Sequence, residues 1–296
     1  MALITVFTPT YNRGNLLHRG YEALKRQTCK DFVWIIIDDG STDDTQQIVQ
    51  LWQSEQTSFE IKYVYKENGG LHTGYNAAIE LLDSELAVCV DSDDYLADNA
   101  IERVCEYWKQ FGNDCLAGIV SLCSDTKNNI IGDQLPEQKD INLIDLLIGK
   151  YPIKSGDRKL FVRSDLYKSV APQRSFDHEK NFNPHYMHLQ ISEKYNFLVL
   201  NEALCIIDYQ PDGMTKGIFK QYYNSPKSFA ETRRLYLSFP NTCLGFRFRQ
   251  CIHYVSSSLI ARDSQFIKTS PAKGLTVLAI PFGILLCGLT CYKATK

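Results

Sequence analysis

The chain has 296 residues, 44% of them hydrophobic and 22% charged. Such a composition builds one large globular domain or two smaller ones and excludes a disordered tail. The formal net charge of −2 decides nothing by itself about nucleic acid, and no nucleic-acid partner is expected.

Residues 3–11 (LITVFTPTY) read as a strand, β-branched and apolar. Residues 15–27 place Leu16, Leu17, Tyr21 and Leu24 at helical spacing. Residues 32–41 (FVWIIIDDGS) are a solid apolar run that ends in acids. Residues 41–54 open with cap-type residues and continue as a helix. Residues 61–65, 73–82 and 86–94 repeat strand, helix, strand, and residues 99–111 and 115–123 add a helix and a strand. The pattern loosens over 124–154, with a surface loop expected in 125–140 (DTKNNIIGDQLPEQKD). It resumes at 159–170, and from about residue 210 the chain reads as helical, basic and aromatic. No internal repeat is evident.

Continuous apolar strands separated by helices argue for an α/β fold, a mainly parallel sheet covered on both faces. Ligands of such sheets bind beyond the carboxyl ends of the strands. Residues 8–12, Asp38 with Asp39, and Asp91 with Asp93 lie at three such ends, so one crevice should gather them.

Residues 86–96 (LAVCVDSDDYL) end an apolar run in Asp91, Asp93 and Asp94. Like charges at a buried strand end repel and resist desolvation. A divalent cation relieves that repulsion, since Mg²⁺ or Mn²⁺ takes one or two carboxylates together with phosphate oxygens. The plainer alternative is a solvated turn that caps the next helix. Asp94 is the member best suited to a structural role. In IIIDDGSTDDT, Asp38 and Asp39 follow a buried strand and Gly40 permits a tight turn. Paired acids there suit a nucleobase imide and a ribose hydroxyl, although Ser41, Asp43 and Asp44 are also good capping residues. In ENGGLHTGYNAAI, Gly69 and Gly70 let backbone approach a ligand ahead of a helix N-terminus.

Together these stretches resemble the family 2 glycosyltransferases, which have the GT-A fold. The resemblance rests on TPTYNR (8–13), DDGSTDDT (38–45), NGGLHTGYNAAI (68–79) and DSDD (91–94), in the family's order and approximate spacing. It covers the first third of the chain. SGDRKLFVRSDLY (155–167) and LNEALCIIDYQPDGMT (200–215) look, more loosely, like the acceptor half of bacterial surface-polysaccharide members. The resemblance implies a nucleotide-sugar donor, most often UDP-linked. Pro9, Tyr11 and Asp39 would hold the base, with Asp38 or Asp91 near the ribose and Arg13 reaching base or phosphates. Asp93, with Asp91, would hold Mn²⁺ or Mg²⁺ on the diphosphate. Thr8, Asn12, Gly40, Ser41, Asn68, Gly69, Gly70, Asn76 and Ser92 complete the implied donor site.

The family inverts the anomeric centre, and that displacement needs a base for the acceptor hydroxyl. It usually supplies an acid near the start of a helix in the second half of the domain. The corresponding stretch here is FDHEKNFNPHYMHLQIS (176–192), where His185 follows Pro184 and Asp177 and Glu179 lie upstream. His185 is the first choice of base, with a reference pKa of ~6.5 that a helix N-terminus would lower. Glu179 is second and Asp177 third. His185 and His188 stand three apart, but the pair is not read as a zinc site.

Charge is unevenly spread. Residues 233–296 hold nine Lys or Arg and one acid, Asp263, a formal +8 that leaves −10 for residues 1–232. An acidic body with a basic tail points toward an anionic surface. Residues 274–292 are uncharged between Lys273 and Lys293, close to the ~20 residues that span a bilayer. Pro281, Gly283 and Gly288 weaken a straight spanning helix, and the basic, aromatic segment 246–268 suits an anionic leaflet. The plainer alternative is a buried helix packed on the body. Ten cysteines form no CxxC pair, several lie in apolar runs (Cys89, Cys205, Cys287), and no secretory leader is read at the start. Reduced thiols in the cytoplasm are expected.

The expected protein is a GT-A enzyme with a catalytic domain over 1–210, its nucleotide-sugar half at 1–123 and acceptor half at 124–210. A helical, basic, membrane-associated region follows at 211–296. It would move sugar from a nucleotide-sugar donor to a glycan or lipid-linked acceptor in bacterial surface polysaccharide synthesis, at the inner face of the membrane. The competing readings are a sugar-nucleotide pyrophosphorylase, for which TPTYNRGNLL offers a thin basic loop, and an inactive sugar-nucleotide-binding protein.

Overall fold

A computed structural model describes residues 2–154, 156–210 and 217–296. Residues 211–215 of the expected acceptor stretch, and Ser155 at the start of the other, lie outside the described residues.

Strands β1 (Ile4–Thr10), β2 (Phe32–Asp38), β3 (Glu60–Tyr65), β4 (Leu86–Cys89), β5 (Tyr95–Leu96), β6 (Leu116–Asp125), β7 (Asp140–Ile141), β8 (Arg158–Arg163) and β9 (Asn196–Ile207) form one sheet. Their order is β3-β2-β1-β4-β8-β6-β9-β5, with β7 paired to β9. β1, β2, β3, β4, β6 and β9 run one way, while β5, β7 and β8 run against them. The sheet is therefore mainly parallel, with antiparallel strands inserted in its second half. Helices α1 (Gly14–Arg26), α2 (Thr45–Ser54), α3 (Leu71–Glu80) and α4 (Ala100–Phe111) supply the crossovers of the first half. The expected loop over 125–140 begins where β6 ends and closes on β7, and α5 (Leu143–Leu147) follows. After β8 come α6 (Ser164–Val170) and α7 (His185–Ser192).

β1 and β2 are buried along their whole length, as continuous apolar runs in a two-face sheet must be. Ile4, Val6, Trp34, Ile36 and Val88 of the strands share one cluster with Leu17, Tyr21 and Leu24 of α1, Val49 and Trp52 of α2, and Val104 and Trp108 of α4. Tyr21 stacks on Trp52 with ring centroids 4.4 Å apart. The parallel register sets Thr10 opposite Asp38 and Asp38 opposite Tyr65, while Phe7 meets Cys89. The polar residues that follow each strand thus leave from one edge.

The chain divides into two compact units. The first comprises Met1–Gly69, Thr73–Gln173 and Met187–Gln210, and it holds the sheet. The second comprises Gly70–His72, Arg174–Tyr186 and Pro211–Lys296. From residue 217 it is helical: α8 (Ile218–Asn224), α9 (Pro226–Ser238), α10 (Leu244–Ile260), α11 (Phe266–Thr269) and α12 (Lys273–Ala294). Leu237, Cys251, Tyr254, Val255 and Ala279 form its core. A Cβ at Gly283 would stand 2.4 Å from the Val255 side chain, so glycine is what lets α12 approach α10 there. α12 remains helical through Pro281.

Candidate active site

The carboxyl edge of β1, β2, β3 and β4 carries a dense polar network. Asp38, at the end of β2, is buried; it accepts from the Ser41 N–H at 2.7 Å and from the Tyr63 hydroxyl at 2.6 Å. Both of its oxygens therefore shape the turn. Gly40 takes φ +86°, and a Cβ there would come 2.9 Å from Asn68 N. Asn12 takes φ +52°. Its N–H donates to Ser41 Oγ at 2.8 Å and its Oδ1 accepts from Thr42 N at 2.7 Å. The loops after β1 and β2 are thus cross-linked.

Asp39 is buried beside them. Its carboxylate accepts from Lys66 Nζ at 2.5 Å and from Gly69 N at 2.9 Å, and Asn68 Nδ2 donates to its backbone carbonyl at 2.7 Å. Lys66 Nζ also donates to Thr73 Oγ1 at 2.9 Å. Lys66 and Tyr63 escaped the sequence reading. The only signal for them was their position on or just after a strand that feeds the ENGG turn. Tyr11, after β1 at the same edge, is 48% exposed.

The acidic triplet follows β4. Asp91 is exposed, Asp93 partly exposed, and Ser92 and Asp94 buried. Arg13 Nη1 lies 3.0 Å from Asp93 Oδ2. Asp94 faces inward, 3.8 Å from Lys159 Nζ, which donates to the Cys89 carbonyl at 3.2 Å. Burial pushes the Asp94 carboxyl up to about 9, with the Lys159 charge pulling the other way. Its oxygen also accepts from Asp208 N at 3.4 Å. Asp94 thus anchors the turn from within, while Asp91 and Asp93 stand at its open side. Among the described residues no group of three or more His, Cys, Asp or Glu is placed to hold a metal. Two carboxylates still suit an Mg²⁺- or Mn²⁺-type ion, which takes its remaining oxygens from phosphate and water.

Other expected donor residues serve the framework. Thr8 is buried and its hydroxyl accepts from Trp34 Nε1 at 3.0 Å. Pro9 lies within β1, and a Cβ at Gly74 would stand 3.2 Å from its ring. Asn76 makes a paired contact with the Gln173 backbone, donating to its carbonyl at 2.9 Å and accepting from its N–H at 2.8 Å. Gly70 turns the chain into α3 with φ +94°.

The candidate bases belong to the second unit. Glu179 is buried. It accepts from Lys227 N and Ser228 N, both at 2.8 Å, and from Ser228 Oγ at 2.6 Å. Those are the first N–H groups of α9, so Glu179 caps that helix with both oxygens. Asp177 is exposed in the turn before His178, which has φ +65°. His185 opens α7, and its N–H donates to Asn183 Oδ1 at 2.9 Å. Its ring is partly exposed, yet enough protein surrounds it that desolvation pushes its pKa down to about 4. Burial, rather than the helix end expected from sequence, is the cause. His188, in the first unit, is buried and bonded to the Tyr167 hydroxyl at 2.8 Å.

Known proteins resemble the chain in both sequence and fold. It is 25% identical over 242 residues to the GalNAc(5)-diNAcBac-PP-undecaprenol beta-1,3-glucosyltransferase of Campylobacter jejuni, covering 79% of this chain and 74% of that one. It is 23% identical over 286 residues to the poly(ribitol-phosphate) beta-N-acetylglucosaminyltransferase TarP of Staphylococcus aureus, covering 89% and 85%. The crystal structure of S. aureus TarS 1-349 in complex with UDP superposes with a TM-score of 0.60 at 16% identity, covering 100% of this chain and 92% of that one. A mannosyltransferase from Pyrobaculum calidifontis in complex with GDP-Man and Mn²⁺ superposes with a TM-score of 0.57 at 16% identity, covering 98% and 80%. These likenesses show a shared GT-A fold. Glycosyl transferase family 2 matches residues 5–169, more than half of the chain, including Asp38, Asp39, Lys66, Gly69 and Asp91 to Asp94, and the protein belongs to that family of enzymes.

Proposed function

We propose that the protein is an inverting, metal-dependent glycosyltransferase that moves a sugar from a UDP-linked donor to a glycan or lipid-linked glycan in bacterial surface polysaccharide synthesis. The observation that carries this reading is the carboxyl edge of β3, β2, β1 and β4, where the Asp39–Lys66–Gly69 bay, after β2 and β3, and the Asp91/Asp93 pair, after β4, lie on either side of β1. Family membership answers the pyrophosphorylase and inactive-binder alternatives.

In this reading the uracil stacks on Tyr11 and its imide donates to Asp39, whose charge Lys66 and Gly69 hold in place. Arg13 moves from Asp93 to the diphosphate. Asp91 and Asp93 would hold Mn²⁺ or Mg²⁺, which would neutralise charge developing on the leaving nucleotide. The acceptor hydroxyl oxygen attacks the anomeric carbon as the bond to the diphosphate oxygen breaks. The hydroxyl proton passes to the His185 imidazole, which is neutral at working pH. Glu179 is the weaker candidate because its oxygens are engaged at α9. The relatives support the acceptor class: one acts on an undecaprenol-linked glycan and one on poly(ribitol-phosphate). A lipid-linked acceptor places the enzyme at the cytoplasmic face of the membrane.

A panel of UDP-, GDP- and dTDP-sugars, with and without Mn²⁺, tests this. Metal-dependent thermal stabilisation by a UDP-sugar, with slow release of UDP, is expected. Stabilisation by none of them, or equal stabilisation in excess chelator, refutes it.

A further inference from the structure

Helix α12 has two unlike faces. Thr276, Ala279, Gly283 and Thr290 are buried. They recur at helical spacing, and Thr276 Oγ1 bonds to Cys251 Sγ of α10 at 3.6 Å. Leu278, Phe282, Leu285, Leu289 and Tyr292 recur on the opposite side and are 67%, 51%, 72%, 44% and 58% exposed. Among the described residues α12 is the helix long and apolar enough to cross a membrane, with a mean hydropathy of 2.1, and only 22% of that window is buried. Its exposed stripe is longer than the scattered apolar residues of an ordinary surface.

We infer that this stripe docks on an anionic lipid leaflet, with α12 lying in the plane of the interface rather than crossing it. One observation favours the in-plane geometry and a second the anionic lipid. First, α12 is packed along one side on α10, which carries Arg247, Arg249 and the buried polar residues Gln250, Ser256, Ser257 and Ser258. Crossing the bilayer would carry that side of the bundle into hydrocarbon, where charged and polar groups are costly. An in-plane helix immerses only its apolar side. Second, Lys273 begins the helix, Lys293 stands in its last turn, Lys296 follows it, and the 64 residues from 233 carry nine cations against one acid. Anionic headgroups complement that charge. A second copy docked through the same face would set two such tails against each other.

This inference stands apart from the transfer reading, because vesicle binding and donor hydrolysis are separate measurements. The full chain should sediment with phosphatidylglycerol-containing vesicles and far less with pure phosphatidylcholine, and added salt should weaken it. Leu285→Glu and Leu278→Glu, both at exposed positions, should each lose binding by about tenfold or more while melting and releasing UDP from a UDP-sugar like the parent. Depth separates lying from crossing. Trp34, Trp52 and Trp108 are all buried, so Leu278→Trp, near one end of α12, and Leu285→Trp, near its middle, report on the helix. Both should be quenched by shallowly brominated lipid to the same extent. Quenching of one at the bilayer centre would show a spanning helix and overturn the geometry. Unchanged sedimentation of the Glu variants, or a dimer that those variants split with no vesicle binding in the parent, would overturn the docking.

Discussion

Arg13 and Asp93 form an ion pair of 3.0 Å although they are 80 residues apart in the chain. It joins the loop after β1 to the loop after β4, and the guanidinium neutralises one of the two outward carboxylates. A metal at Asp93 therefore competes with Arg13. Arg13→Met should bind Mn²⁺ more tightly than the parent without nucleotide, and bind UDP-sugar more weakly with it, since the diphosphate loses a cation. Paramagnetic titration of Mn²⁺ with and without UDP checks both signs. Weaker Mn²⁺ binding in the nucleotide-free variant contradicts the competition.

Asp93→Ala should abolish transfer and remove the metal dependence of nucleotide binding. The fold should hold, because Asp94, not Asp93, anchors the turn against Lys159. Activity assays and thermal melting with and without Mn²⁺ report the result. Full transfer by this variant would remove the metal from the mechanism.

Asp39→Asn keeps the size of the side chain but loses the charge that meets Lys66 and Gly69. Hydrogen bonds to a charged group contribute about 1.5–3 kcal/mol. Donor affinity should therefore fall about tenfold or more, read by calorimetry with UDP. If affinity holds, the base is recognised elsewhere.

Glu179→Gln should lower stability more than catalysis. Its carboxylate satisfies two N–H groups at the start of α9, and a cap of this kind contributes about 0.5–2 kcal/mol. Denaturant titration should show that loss, with kcat nearly unchanged below the melting range. A variant that is dead yet as stable as the parent transfers the role of base to Glu179.

His185→Ala should lose about 10²–10⁴-fold in transfer with donor binding intact. The pH profile is the sharper measurement. Desolvation sets the folded pKa near 4, so the basic form dominates at neutral pH and the acid limb of kcat/KM should fall near pH 4, not near 6.5. Stability shifts the same way: the unfolded chain binds the proton more readily, so the contribution of neutral His185 is present above about 6.5 and lost as pH falls toward 4. Loss of that pH dependence in His185→Ala is expected. An acid limb that stays put in His185→Ala assigns it to another group.

The donor edge was legible in the sequence because its signals are local. An apolar run that stops at DDGS or DSDD marks both a buried strand and its polar end, and parallel strands separated by helices send such ends to one edge. The mainly parallel sheet followed from the same runs. The role of Lys66 was not legible, because a lysine after a strand is ordinary until the register of β2 and β3 brings it beside Asp39. Thr8 shows the reverse. It belongs to the motif, but β1 is covered on both faces, so no alternation told which side its hydroxyl takes; it turns to accept from Trp34 Nε1.

In the second half the sequence determined composition and tertiary structure decided roles. Asp177, Glu179 and His185 are three candidate bases within nine residues, and only the folded chain shows Glu179 capping a helix that begins 47 residues later. The uncharged run 274–292 is legible as a helix that seeks an apolar surround. It has no polar stripe, so sequence periodicity could not say which side packs. Small residues decide that: Gly283 admits Val255, Ala279 joins the core, and Thr276 meets Cys251. The larger apolar side chains opposite cannot make so close an approach, and they are left facing outward.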